Sequence, residues 1–336
     1  PTSNVGYGVS SLTKVKHTHP MLSLGNVFDS VQLNNFVTEI IKKTGEVDLS
    51  LEYKYDGLAL SLHYDKGVLV RAVTRGDGTE GEDVTNNSKM IANIPLQLKG
   101  DHPPEYLEVR GEVVVPRKGL ELLNIQLVEK GLKTYSNPRN TAAGLIRNTD
   151  SAKLRNKPLA FYPYDCYGVD KNSVSASLDY LSDLGFDLFS KPKIVNSIEE
   201  INSFYQDTIN DRDKISIDID GLVIKVNDSS KHDILGTNSK EPKWAIAYKF
   251  PPVEKATKLK RIDWQVGRTG VVTPVGVVEP VNIGGAVIRN VSLYNANEVK
   301  RLNLSLGSHV VVCRRGDVIP KIVKCIRLLN SDVCHL

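Results

Sequence analysis

The chain has 336 residues, 40% of them hydrophobic and 24% charged, proportions of an ordinary globular protein that exclude a disordered or coiled-coil chain. Its length suits two domains, and no apolar run approaches the ~20 residues that a membrane span needs. The net charge of +4 is too small to argue for a nucleic-acid partner by itself, but residues 251–336 carry 13 basic and 6 acidic side chains against 30 and 33 in the remainder. A basic C-terminal quarter on a neutral-to-acidic body suits one part that handles a small molecule and another that meets a polyanion; an ordinary basic surface has the same composition.

The first ~25 residues read as loop, after which Asp29 is placed to cap a helix running to about residue 43. Residues 51–74 alternate apolar and polar positions, which predicts strands from 51 and over 58–64, a turn at Asp65-Lys66-Gly67 and a strand over 68–73. A strand over 106–115 and a helix over 118–130 follow. Helices over 177–184 and 198–210 then precede strands over 221–226 and 244–250. Pro251-Pro252 breaks the pattern and marks a boundary. Beyond it the apolar runs are short, β-branched and glycine-punctuated, beginning at Val271, Val277, Ala286, His309 and Lys321. Five or so strands in that length fit a small barrel. The expected fold is therefore α+β: a larger domain of antiparallel sheets and helices over 1–252, a small β-barrel over 253–330, and a tail over 331–336.

Four cysteines (Cys166, Cys313, Cys325 and Cys334) form no C-x-x-C pair, so neither a zinc site nor a disulfide framework is indicated. They read as free thiols of a reducing, cytoplasmic compartment. No charged segment followed by an apolar core marks a signal peptide. The chain opens on Pro1 rather than Met, which implies a segment upstream.

The densest chemical signal is Glu52-Tyr-Lys54-Tyr-Asp56-Gly57. In a strand, period-two alternation puts Glu52, Lys54 and Asp56 on one face. A solvated strand face with a local ion pair is the plain alternative, but the pattern recurs. Glu108, Arg110 and Glu112 share one side of a second strand. Lys225 lies in Asp220-Gly-Leu-Val-Ile-Lys225, and Lys249 follows Ala245 and Ala247, whose small side chains leave room for a ligand. Three strand lysines among carboxylates suit phosphoryl chemistry at a lysine nucleophile. A lysine amine, with a pKa of about 10.4, is protonated at neutral pH and must be activated. Neighbouring cations such as Lys225 and Lys249 favour the neutral amine and can hold phosphate oxygens.

These residues resemble the covalent nucleotidyltransferase motifs of polynucleotide ligases and mRNA capping enzymes. Longer strings narrow the resemblance: His17-x-x-Pro-Met-Leu-Ser-Leu24, Thr74-Arg-Gly-Asp-Gly-x-x-Gly-Glu-Asp-Val-Thr85, Asn137-Pro-Arg-Asn-x-Ala-Ala-Gly144, Val266-Gly-Arg-Thr-Gly270 and Arg315-Gly-Asp-Val-Ile-Pro320. Together they are similar to the bacterial-type NAD-dependent DNA ligases over nearly the whole chain. The resemblance implies an adenylation domain followed by an OB-fold, with Lys54 as the nucleophile on the α-phosphate of NAD and Asp56 and Gly57 shaping the turn beside it. It implies that Ser23, Leu24 and Glu52 lie around the adenine and that Tyr164 stacks on the base. Arg75 and Glu112 would hold the ribose and its neighbours, Lys225 and Lys249 the phosphate, and Asp220 would support the metal or the lysine. Arg139 and Arg147, and less directly Arg212, match positions near the nucleotide and the nick phosphate. Arg268, Arg314 and Arg315 would meet the DNA backbone, in contacts that give affinity rather than sequence preference.

The implied cofactors are NAD and Mg²⁺, with Mn²⁺ as a substitute, the magnesium held mainly by phosphates. The implied partner is nicked double-stranded DNA bound by a monomer, with no membrane. Some positions depart from the family. Lys243 stands where an arginine is usual, Ile215-Ser-Ile-Asp replaces a Leu-Pro-aromatic run, Gly25 stands for Asp and Tyr294 for His. By the same resemblance, a helical domain that grips nicotinamide mononucleotide precedes Pro1, and zinc-finger, helix-hairpin-helix and BRCT domains follow Leu336, so zinc belongs only to that downstream finger. A chain with these ends is expected to adenylate itself slowly from NAD and still to bind AMP-like ligands. Two other readings stay open: an ATP- or GTP-using ligase or capping enzyme that shares only the lysine motifs, and a DNA-binding module without catalysis. The strings at 17–24 and 74–85 speak against the first, and the complete set of Lys54, Asp56, Glu112, Lys225 and Lys249 against the second.

Overall fold

The computed structural model describes residues 12–266, 270, 272–283, 286–314 and 320–326. The chain divides into two compact units, Pro1–Phe250 and Pro251–Leu336.

In the first unit a five-stranded sheet runs in the order Gly25–Val27, Ala245–Lys249, Ile219–Val226, Leu49–Tyr55 and Lys193–Val195. Only the pair at the Gly25–Val27 edge is parallel. One face of its central strands is apolar: Leu49, Leu51, Leu222, Ile224, Val226 and Tyr248 are buried in a common core. Helices Ser30–Thr44 and Ile198–Asn210 close that face with Leu33, Val37 and Ile40 from the first and Ile201 and Tyr205 from the second. The spacing of these residues is that of one helical stripe. Asp29 caps the first helix by accepting from the Gln32 N–H at 2.8 Å, and Gly45, at φ 73°, ends it.

A four-stranded antiparallel sheet follows the order Val68–Thr74, Leu58–Asp65, Tyr106–Val114 and Ala160–Tyr167. Leu60, Leu62, Leu107, Val109, Val113 and Phe161 pack its inner face against Ala142, Leu145 and Ile146 of helix Pro138–Ile146 and Leu178 and Leu181 of helix Val174–Asp183. The first hairpin turns at Lys66 and Gly67, both with positive φ, the geometry that matches the right-handed twist of the flanking strands.

Several elements differ from the sequence reading. Helix Val174–Asp183 starts before residue 177 because Ser173 caps it, accepting from the Ala176 N–H at 3.1 Å. Helix Pro138–Ile146 was not anticipated, although Asn137 caps it and Pro138 opens it. The Ala160–Tyr167 strand was not anticipated either. Pro163 is tolerated there because the strand is at the sheet's edge and the register shifts opposite it. The opening loop contains two short strands, Lys14–Lys16, paired with Glu80–Glu82, and Gly25–Val27.

The second unit is a closed five-stranded barrel in the order Val253–Val266, Val272–Ile283, Ala286–Ser292, Lys321–Ile326 and His309–Arg314. Leu259, Val278, Val291, Val310, Val312 and Ile322 fill it. The runs beginning at Val271 and Val277 read as separate strands, but residues 272–274 of the first and the whole of the second belong to one twelve-residue strand, Val272–Ile283, while Val271 lies outside the described residues. The fourteen-residue Val253–Val266 strand was missed because half of its exposed positions are charged, concentrated over residues 254–261. Among the described residues Cys166 and Cys325 are free thiols, and no helix is long and apolar enough to cross a membrane.

Candidate active site

The polar face of the five-stranded sheet is organised by three cross-strand rows. Gly221 pairs with Lys54 on one side and Lys249 on the other. Val223 pairs with Glu52 and Ala247, and Lys225 with Ser50 and Ala245. Every second residue of each strand shares this face, so lysines and carboxylates stand around a floor of Gly221, Val223, Ala245 and Ala247. A Cβ on Gly221 would lie 2.4 Å from the Tyr248 carbonyl oxygen, which keeps that position bare.

Asp220 joins the lysines through a bulge. The register between the Ile219–Val226 and Leu49–Tyr55 strands shifts between Ile219 and Gly221, so Ile219 and Leu222 both reach the core and Asp220 is the extra residue. Its Oδ1 lies 3.0 Å from Lys54 Nζ and its Oδ2 3.3 Å from Lys249 Nζ. One carboxylate thus bridges two ammonium groups.

Lys225 is engaged differently. Its Nζ donates to Glu52 Oε2 at 2.8 Å and to the Tyr164 carbonyl at 2.7 Å, and its side chain is 8% exposed. Burial pushes the Glu52 carboxyl up, and Lys225 and Ser50 pull it back only in part. The charge of Lys225 is therefore balanced by Glu52, and Lys249 rather than Lys225 shares a partner with Lys54. The Tyr164 ring centroid is 5.8 Å from Lys225 Nζ. Arg75 Nη2 donates to Ser23 Oγ at 2.9 Å, and half-buried Leu24 leads into the edge strand Gly25–Val27. A Cβ on Gly25 would meet the Glu241 carboxylate at 3.2 Å, so an aspartate there would set two like charges together.

Asp56 sits just past the Lys54 strand, where Arg139 Nη1 meets its Oδ1 at 2.8 Å. Glu112 is within electrostatic reach of Lys54, Arg139 and Asp56 and accepts from the Gly57 N–H. Gly57 is confined, since a Cβ there would lie 2.1 Å from the Val113 carbonyl oxygen. Arg117, which sequence reasoning missed, ties in from outside. It binds Asp218 Oδ1 at 2.7 Å, and the Asp218 carbonyl receives the Asp56 N–H at 3.0 Å. The two residues are 101 positions apart, and no local pattern announces the pair.

Burial raises the Glu112 carboxyl from the ordinary 4.5 to about 7, against the pull of Lys54 and Arg139. Between those two values the folded chain holds a proton that the unfolded chain has released, so this group makes stability fall as pH rises from 4.5 to 7 and adds no slope above that. Glu112→Gln is expected to remove this component. Urea unfolding of both proteins at pH 5, 6 and 7 checks it, and parallel curves would show that Glu112 titrates normally.

Arg147 is elsewhere: its Nε binds Glu82 Oε2 at 2.6 Å, on the two-stranded ribbon. The Arg212 guanidinium lies 5.4 Å from the Phe250 ring centroid. Arg314 ends the His309–Arg314 barrel strand, whereas Arg268 and Arg315 lie outside the described residues. Among the described residues no cluster of three or more metal-type side chains is preassembled.

A strand lysine flanked by carboxylates and two further strand lysines, in an α+β domain followed by a closed barrel, is the architecture of the covalent nucleotidyltransferases. The family described as NAD-dependent DNA ligase adenylation domain matches residues 9–253, and the NAD-dependent DNA ligase OB-fold domain matches residues 256–332. The chain belongs to the NAD-dependent DNA ligase family. It is 45% identical over 333 residues to a DNA ligase of Acinetobacter baylyi, covering 96% of this chain and 49% of that protein. It is likewise 45% identical to a DNA ligase of Alcanivorax borkumensis, covering 96% of this chain and 43% of that protein. The chain therefore spans about half the length of the curated relatives it matches. A solved structure described as "Pmar-Lig_Pre." is similar over 90% of this chain and 66% of that one, with a TM-score of 0.51 at 14% identity, a likeness of fold alone.

Proposed function

We propose that the chain is the catalytic core of an NAD-dependent DNA ligase, with its adenylation domain over 1–252, an OB-fold over 253–330 and a tail over 331–336. Lys54 Nζ attacks the α-phosphate of NAD; the N–P bond forms, the P–O bond to nicotinamide mononucleotide breaks, and the amine gives up a proton. Asp220 Oδ1, 3.0 Å from that amine, is placed to orient it and take the proton. Lys249 sits on the same row to meet the phosphate oxygens. Glu52 borders the base together with Ser23, Leu24 and Tyr164, and Glu112 and Arg75 face the ribose. Lys225, whose ammonium is held by Glu52 and the Tyr164 carbonyl, goes with the base rather than with the phosphate that the resemblance implied. AMP then passes to the 5′-phosphate of a nick, and the 3′-hydroxyl displaces it.

Magnesium would be held mainly by the phosphates, with Asp220 as a carboxylate able to share it, and when bound it neutralises phosphate charge. Nicked duplex DNA is the partner of the monomer in the cytoplasm. Arg139 and Arg147 are its proposed phosphate contacts on the first unit, and Arg268, Arg314 and Arg315 on the barrel.

The observation that carries the reading is the Lys54–Asp220–Lys249 arrangement over a floor of small residues. Prolonged incubation with NAD, ATP or GTP in turn, followed by intact-mass spectrometry, tests it. The expected result is the added mass of one AMP, on Lys54, from NAD alone. Addition from ATP or GTP would favour a nucleoside-triphosphate-dependent ligase or capping enzyme. No addition from any of them, and no sealing of a nick that already carries AMP, would favour a DNA-binding module.

A further inference from the structure

The Tyr106–Val114 strand carries more charge than the proposed chemistry uses. Glu112 serves the site, but Glu108 and Arg110 alternate with it on the same face and are buried, at 0% and 4% exposure. Burying an ion pair gives little net stability, and an apolar pair of similar volume would serve a sheet as well. The partners of this pair indicate another use. Arg110 Nε meets Glu108 Oε1 at 2.8 Å, while its Nη1 and Nη2 donate to the carbonyls of Pro20 at 3.0 Å and His19 at 2.6 Å. The guanidinium lies 4.4 Å from the Tyr167 ring centroid. Glu108 Oε2 meets His19 Nδ1 at 3.0 Å, Ser61 Oγ donates to Oε1 at 2.8 Å, and the His19 ring stacks on Tyr167. Burial alone would push the Glu108 carboxyl up, but Arg110, His19 and Ser61 outweigh it and hold it below the usual range.

Residues 17–24 form no helix or strand, so these carbonyls have no ladder of their own and take their donors from Arg110. The same segment is tied further along by Met21 N–H to the Gly78 carbonyl and Ser23 N–H to the Lys240 carbonyl.

We propose that Arg110 and Glu108 are positioning residues: a buried clamp that holds segment 17–24 against the sheet and so fixes Ser23 and Leu24 for the adenylate half of the substrate. The proposal rests on the nucleotide reading of the Lys54 site. Only a planar fork reaches Glu108 and two successive carbonyls at once, whereas a lysine offers the charge without that geometry.

Arg110→Lys, which keeps a cation opposite Glu108, is the test, with AMP affinity by calorimetry and hydrogen exchange along the chain as readouts. Losing charge-assisted hydrogen bonds to the segment is expected to weaken AMP binding by about tenfold or more. Exchange should quicken over residues 17–24 and stay unchanged over 107–114. His19→Ala, at a half-exposed position that cannot unfold the sheet, should shift both readouts the same way by a smaller amount. Unchanged AMP affinity in both variants overturns the clamp while leaving the nucleotide reading intact. Loosening spread evenly over the sheet overturns it too, since the pair would then only hold the sheet together. If the unaltered chain binds no AMP, the nucleotide reading fails and takes the clamp with it.

Discussion

Lys54→Ala eliminates the AMP adduct and with it the sealing of an ordinary nick. The covalent intermediate needs a primary amine above the floor of Gly221, Val223, Ala245 and Ala247, and the two other lysines there are differently placed. Lys225 is held by Glu52 at 2.8 Å and the Tyr164 carbonyl at 2.7 Å with its side chain 8% exposed. Lys249 lies across the row, on the far side of Gly221. Lys54→Arg separates loss of chemistry from loss of structure. It keeps a cation beside Asp220, yet a guanidinium stays protonated at any working pH and cannot act as the nucleophile. Neither variant leaves Asp220 without a counter-charge, because Lys249 remains 3.3 Å from its other oxygen. Both are therefore expected to melt close to the parent while the adduct, read by intact mass, falls below detection. Closure of a nick already carrying AMP should survive in part, because that step forms no bond to lysine. An adduct persisting in Lys54→Ala, mapped by peptide mass, would move the nucleophile to Lys225 or Lys249.

The parts legible in the sequence are those governed by local periodicity. Alternation in Leu49–Tyr55 separates Leu51, Tyr53 and Tyr55 from Glu52 and Lys54, and the sheet buries Leu51 in the core and packs the two tyrosines against it. The same rule assigns Ala245, Ala247 and Lys249 to one face. What alternation cannot supply is register. Nothing local states that Gly221 stands between Lys54 and Lys249, or that Glu52 meets Lys225 from 173 positions away. Asp220 is the sharpest instance, because strict alternation would send it to the core side with Leu222, and a bulge reverses it. The Val253–Val266 strand was hidden for the opposite reason. One edge of its alternation is so densely charged that the run reads as polar, and only closure of the barrel around Leu259 makes it a strand. Helix Pro138–Ile146 did announce itself, with an asparagine cap and a proline at its first position. At nine residues it is too short to show a clear apolar periodicity.

Asp220→Asn is expected to slow adenylation by about 10²–10³, the range that follows removal of one preorganised polar or proton-accepting group. The substitution preserves size and the bulge but takes away the carboxylate charge that Lys54 and Lys249 share. Two ammonium groups on one row then repel each other with nothing between them, and Lys54 loses the contact that aims it. Its amine also loses the nearest acceptor for the proton it must release. These two losses have different signatures. A missing proton acceptor can be supplied by hydroxide, so the deficit from that cause shrinks as pH is raised, whereas a misdirected lysine stays slow at every pH. A rate–pH profile of Asp220→Asn beside the parent, following the AMP adduct by mass, separates them. Convergence of the two profiles at alkaline pH would assign Asp220 chiefly to proton transfer, and a constant gap would assign it to orientation. Parent-like rates across the whole range would show that the bridge between the two lysines is a feature of the resting site alone and plays no part in the transfer.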